Sequence, residues 1–128
     1  MAKILGWEYP EGLYYSRDHM WVSIQDGKAR VGFTDYGQHL ARKILFVRLR
    51  PKGSTVEQGK IIGTLESGKW VGPLKAPLSG KIAETNEDLK RVGMVKLVNE
   101  DPYGKGWMVV IEPANLEAEK KNLMTKPE

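Results

Sequence analysis

Lys69 stands in the setting most suggestive of chemistry. In residues 63–82, GTLESGKWVGPLKAPLSGKI, it sits alone between two apolar, strand-like runs, with Ser67 and Gly68 before it and Trp70 after it. A primary amine held at a glycine-bearing turn points into water and is open to acylation, which turns the ammonium into a neutral amide. The tripeptide Gly59-Lys60-Ile61 recurs as Gly80-Lys81-Ile82, and Lys69 lies ten residues after the first glycine and eleven before the second. Two similar β arms joined by a tight turn would carry Gly68 and Lys69 at the tip. On this ground alone a plainer reading stands beside the chemical one, because lysines are commonly solvated at hairpin tips.

The other reactive side chains form weaker patterns. His19 and His39 are the only histidines, and no Ser, Cys or acid stands beside either in a catalytic or metal-binding motif, so both are expected to be structural. Cysteine is absent, which excludes disulfides, thiolate metal sites and a Cys nucleophile. A Schiff-base lysine needs desolvation to lower its pKa, which a glycine-flanked tip does not offer. Gly32, Gly59 and Gly80 belong to no phosphate-binding glycine pattern, so turns account for them. No catalytic residue and no metal site are expected. Trp21 and Trp107 fall in strand patterns and should pack. Trp70 has no evident core role beside a tip; contact with whatever Lys69 carries, or with a partner, is one of two open readings.

A chain of 128 residues can build one compact core but not two ordinary ones. No apolar run approaches the roughly 20 residues that span a bilayer, so no membrane association is expected. The start, MAKILGWEYPEG, shows no apolar core followed by a small-residue cleavage site, and a cytoplasmic location is expected. The net charge is +4, but Lys and Arg are interleaved with 16 acids rather than gathered in a stripe, which argues against nucleic acid as a partner.

Short apolar runs separated by turn residues indicate an all-β domain with a few short helices. Trp21–Ile24 and Ala29–Phe33 flank Asp26-Gly27 and should form a hairpin. Thr34 or Asp35 should cap a short helix through His39 and Leu40. Further strands are expected at Ile44–Leu49, Ile61–Glu66, Trp70–Lys75, Lys81–Asn86 and Met108–Glu112. Helices are expected near Asp88–Leu97 and from Asn115 as cap to Met124.

Several longer motifs carry a resemblance: His19-Met20-Trp21-Val22, Gly32-Phe33-Thr34-Asp35-Tyr36, Glu66-Ser67-Gly68-Lys69, Ala76-Pro77-Leu78-Ser79-Gly80, and the run from Leu97 to Trp107, LVNEDPYGKGW. Across roughly Leu13 to Leu116 the sequence resembles the H proteins of the glycine cleavage system and their relatives. The resemblance implies a lipoyl/biotinyl-type barrel-sandwich hybrid of two antiparallel sheets with short helices, including one at the C-terminus. It divides the chain into an extension (1–12), an H-protein-like lipoyl domain (13–124) and a frayed tail (125–128). It implies a non-catalytic carrier, expected to be monomeric, with lipoic acid in amide linkage to Lys69. Glu66, Ser67, Gly68 and Trp70 would mark the attachment site for a lipoate–protein ligase or lipoyl transferase.

Departures from the family bear on the pathway. Where H proteins place acids to hold an aminomethyl group, this sequence has Met20 and Pro73, with Asp18 nearby as a partial substitute; these three are expected to border the arm or a partner. The positive net charge is a further departure. These differences favour the H-like lipoate-binding proteins of heterodisulfide-reductase-like sulfur oxidation, with that complex as partner. The alternative is glycine cleavage itself, with glycine decarboxylase, aminomethyltransferase and dihydrolipoyl dehydrogenase as partners. A further alternative is an unmodified interaction module.

Overall fold

Asp26 and Gly27 both adopt left-handed backbone (φ 51° and 77°), as a two-residue hairpin turn matched to strand twist requires, so the predicted Asp-Gly hairpin forms. It supplies two interior strands of the larger sheet in a computed structural model that describes residues 2–4, 7–68, 70–91 and 93–125, with residues 2–4, 7 and 8 described by backbone alone. The chain begins with a small hairpin, β1 (Ala2–Ile4) and β2 (Trp7–Tyr9). The six-stranded antiparallel sheet then comprises β3 (Tyr14–Tyr15), β4 (Met20–Gln25), β5 (Lys28–Phe33), β7 (Thr55–Val56), β10 (Gly80–Thr85) and β11 (Val109–Pro113), in the order β3-β4-β5-β11-β10-β7. The second sheet has the order β6-β8-β9, from β6 (Ile44–Leu49), β8 (Ile61–Ser67) and β9 (Val71–Lys75). Pro73 is tolerated in β9 because that strand pairs only with β8 and needs no donor on its free edge.

Alternation in the strands turns one face of each sheet inward. Val22 and Val31 from the larger sheet and Ile62, Leu65 and Leu74 from the smaller are fully buried in one core, giving the barrel-sandwich arrangement of two antiparallel sheets. Helix α1 (Asp35–Ala41) starts where expected: the Thr34 hydroxyl accepts from Gly37 N–H at 3.0 Å. Gly37 is a poor helix former but is required here, since a Cβ would lie 2.9 Å from His19 Cβ and 3.0 Å from the Phe33 ring.

Four expectations need correction. The helix expected over 88–97 is instead a 3-10 turn (Glu87–Lys90) and a separate α2 (Leu97–Glu100). Arg91 is extended and Gly93 left-handed at φ 81°, which breaks the run. The C-terminal helix α3 (Leu116–Lys120) stops short of Met124, and Asn115 makes no side-chain cap. Met124 instead exchanges two 2.7 Å backbone hydrogen bonds with Tyr15, which requires extended chain. The arms either side of residues 68–69 do pair as a hairpin, β8 with β9, but the repeated tripeptides are not equivalent: β10 lies in the other sheet, and Ile61 is exposed where Ile82 is buried. The extension contains the β1–β2 hairpin, for which the sequence shows no turn signature. Residues 126–128 of the expected frayed tail lie outside the described residues. Among the described residues no helix is long and apolar enough to cross a membrane.

Candidate functional site

Strands β8 and β9 pair from Ile61↔Lys75 to Glu66↔Val71, and Ser67 N–H closes their connection by donating to Trp70 C=O at 2.8 Å. Ser67 is buried and its hydroxyl faces the same carbonyl at 3.4 Å. Lys69, and with it the expected exposure of its side chain, lies outside the described residues. Gly68 corrects one premise: its φ is outside the left-handed region and a Cβ there would meet nothing within 4 Å, so the turn does not require glycine.

Beside this turn lies a cavity of about 540 Å³ lined by His19, Phe33, Gly37, Leu40, Ala41, Arg42 and Trp70. Trp70 reaches it by folding back over β9; a Cβ on Gly72 would lie 1.9 Å from its ring, so glycine at 72 makes the position possible. His19, itself left-handed at φ 67°, sets its ring edge-on to Tyr36 at 5.6 Å. Burial pushes the imidazole below its ordinary pKa, against the opposing pull of Asp18, so the ring is mainly neutral near pH 7. The walls are thus mostly apolar, with Arg42 at the rim.

The predicted site residues divide sharply. Glu66, Ser67, Gly68 and Trp70 are brought together at the end of the β8–β9 hairpin. Asp18 is exposed and adjoins His19. Met20 does not border any surface: it opens β4 opposite Phe33 and is 0 % exposed, so the expectation that it lines the arm or a partner is corrected. The inward alternation of β4 decides this, and a carboxylate at 20 would be buried rather than offered to an arm. Pro73 is exposed opposite Thr64 and is not among the cavity's lining residues. His19 is more than the structural residue expected, because it forms one wall. The sequence reading missed Phe33, Leu40, Ala41 and Arg42; an apolar Leu40 near the end of the capped helix was the available signal, whereas nothing in the sequence marked Arg42.

The 97–107 run supports the site without entering it. The Trp21 indole N–H donates to Pro102 C=O at 2.9 Å in the interior, and Asp35 N–H donates to the Tyr103 hydroxyl at 3.1 Å. Asn99 Oδ1 accepts from Ile44 N–H at 2.9 Å, while its Nδ2 donates to Arg42 C=O at 2.8 Å and Gln38 Oε1 at 2.9 Å. From the facing side, Asn86 Nδ2 donates to the carbonyls of Lys105 and Trp107.

Comparison with known proteins points one way. Residues 13–128 match the family model described as glycine cleavage H-protein. The chain is 44% identical over 121 residues to glycine cleavage system H protein 2 of Aquifex aeolicus, covering 93% of this chain and 74% of that one. It is also 44% identical over 116 residues to the glycine cleavage system H protein of Bacillus velezensis, covering 91% and 89%. The crystal structure of a glycine cleavage system H protein from Mycobacterium marinum is similar with a TM-score of 0.77 at 36% identity, over 83% of this chain and 87% of that one.

Proposed function

Because the chain belongs to the glycine cleavage H-protein family, and is accordingly a lipoyl carrier rather than an enzyme, we propose that Lys69 bears the lipoyl group and that the loaded arm serves glycine cleavage. The observation that carries the proposal is the Ser67–Trp70 hydrogen bond beside a mostly apolar cavity, Gly68 and Lys69 being the two residues between them in sequence. Loading joins Lys69 Nζ to the carbonyl carbon of an activated lipoyl donor; the bond from that carbon to the leaving oxygen breaks and Nζ releases its proton. A cavity of about 540 Å³ with walls from Phe33, Leu40, Ala41 and Trp70 suits an apolar acyl chain tethered at its edge. When bound, the group supplies a strained disulfide that exchanges with thiols and carries a substrate fragment between enzymes. The carrier unit proposed is 13–124.

Glycine cleavage is preferred over heterodisulfide-reductase-like sulfur oxidation for two reasons. The family and its relatives are named for the former. Half of the argument from missing acids also falls away, because position 20 faces the core. Glycine decarboxylase, aminomethyltransferase and dihydrolipoyl dehydrogenase are the partners this reading implies. The test is intact mass after incubation with lipoate, ATP and a lipoate–protein ligase. One lipoyl addition on the wild type and none on Lys69→Arg is expected; addition persisting in Lys69→Arg refutes the site. Glycine–bicarbonate exchange with the decarboxylase then tests the pathway, and no exchange from a fully lipoylated carrier refutes it.

A further inference from the structure

The chain enters β6 alongside the Ser67–Trp70 connection, because Ile44, the first residue of β6, pairs with Ser67, the last of β8. The two residues before Ile44 are Arg42 and Lys43, both exposed. Arg42 borders the Trp70 cavity and also a second hollow of about 510 Å³, which it shares with Lys43, Lys96, Asn99 and Glu100. Among the described residues none of Arg42, Lys43 and Lys96 forms an ion pair. Acids nearby are Glu100, which shares the second hollow, Glu66 on β8, and exposed Asp18 beside His19 of the cavity wall. On the outer row of the smaller sheet, Phe46 and Val71 flank Glu66 and are 55% and 65% exposed, with Trp70 at 43%.

Arg42 is also strained. It follows α1 at φ 70° and ψ −154°, its N–H donating to the Gln38 and His39 carbonyls, in the position after a helix where glycine is favoured. Asn99 holds the segment from both sides, through Arg42 C=O and Ile44 N–H. A long cation is therefore kept, and clamped, where the backbone alone would favour glycine. Strain of this kind is sustained where the side chain has a task.

We propose that Arg42, Lys43 and Lys96, with the exposed strip of Phe46, Trp70 and Val71, form the docking face for the enzyme that acylates Lys69, and that this enzyme presents a ring of carboxylates around its active-site mouth. The inference rests on Lys69 being the attachment site. An unloaded lysine reaches only a few ångströms, so the acylating enzyme must press against the surface immediately around residues 67–70. Enzymes that use the loaded arm meet it farther out and need that contact less. Cations beside an apolar strip complement a carboxylate-ringed mouth, speed encounter and fix its register.

The test is the initial rate of lipoylation, read by intact mass, using lipoate, ATP and the lipoate–protein ligase of the same organism, at about 50 mM and about 300 mM salt. Wild-type kcat/KM should fall several-fold with salt. Arg42→Glu/Lys43→Glu should lose at least tenfold at low salt, through KM, and lose most of the salt dependence; Arg42→Lys/Lys43→Arg should load normally. Lys96→Glu, which leaves the strained segment intact, should lose several-fold and keeps the test decisive if the double variant folds poorly. Arg42→Gly should raise Tm yet slow loading. Both charge-reversed proteins loading at the wild-type kcat/KM, or slowing through kcat alone, would overturn the proposal. So would unchanged loading with loss of a self-association seen by sedimentation, which would make the face a contact between copies. No mass gain on wild-type protein overturns the attachment site itself, and the docking face with it.

Discussion

Replacing Asn99 by alanine should loosen the segment that carries Arg42 beside the loading turn. Three hydrogen bonds are lost, but they do not weigh equally. Arg42 C=O and Gln38 Oε1 lie near solvent, and water replaces the amide there at little cost. Ile44 N–H belongs to a residue 1% exposed, and an orphaned donor in such a place costs about 1–3 kcal/mol. Relief of the Arg42 backbone, worth about 1 kcal/mol, offsets part of this. The net expected loss is about 1 kcal/mol. With a urea m-value of about 1.5 kcal/mol/M for a chain of this size, the unfolding midpoint should fall by about 0.7 M. Hydrogen exchange at the Ile44 amide should accelerate in step. Asn99→Asp keeps an acceptor for Ile44 N–H but sets an oxygen against Arg42 C=O, so it should be intermediate, with the Ile44 amide still protected. An alanine variant within about 0.5 kcal/mol of wild type, or equal exchange at Ile44 in both variants, would refute the clamp.

Gly72→Ala should expel the Trp70 indole from β9, because its new Cβ would otherwise overlap the ring; the cost should stay near 1 kcal/mol since an exposed ring can swing away, and the check is a red-shifted Trp70 emission by difference from Trp70→Phe. Gly68→Ala should fold as stably as wild type, within about 0.5 kcal/mol, since neither φ nor space demands glycine; a fall in lipoylation rate would then report recognition alone. His19 is held below its ordinary pKa of 6.5 by burial, so the unfolded chain binds the proton more readily. Its contribution to stability is full above about pH 6.5 and is lost as pH falls through the folded value. Tm should therefore decline on acidification through this range, and His19→Gln should flatten that slope; equal slopes would assign the decline to other groups.

What the linear chain determined is what depends on neighbours in sequence. The Asp26-Gly27 turn, the Thr34 cap and the bounds of β6 follow from local backbone preference and β-rich composition, and all appear as read. The Glu-Ser-x-Lys context and the 97–107 run likewise pointed to the family, because motifs are written in sequence order. Orientation was another matter. Whether Met20 faces a partner or the core depends on which face of β4 the second sheet covers, and that contact is non-local. The C-terminal helix stops early because Tyr15, more than a hundred residues away, takes both backbone groups of Met124. Arg42 had no signature at all: its strain, its clamp by Asn99 and its place beside residues 67–70 exist only once α1, α2 and the smaller sheet have packed together. Local chemistry chooses turns, caps and motifs, but which side chains share a surface is decided by burial summed over the whole chain.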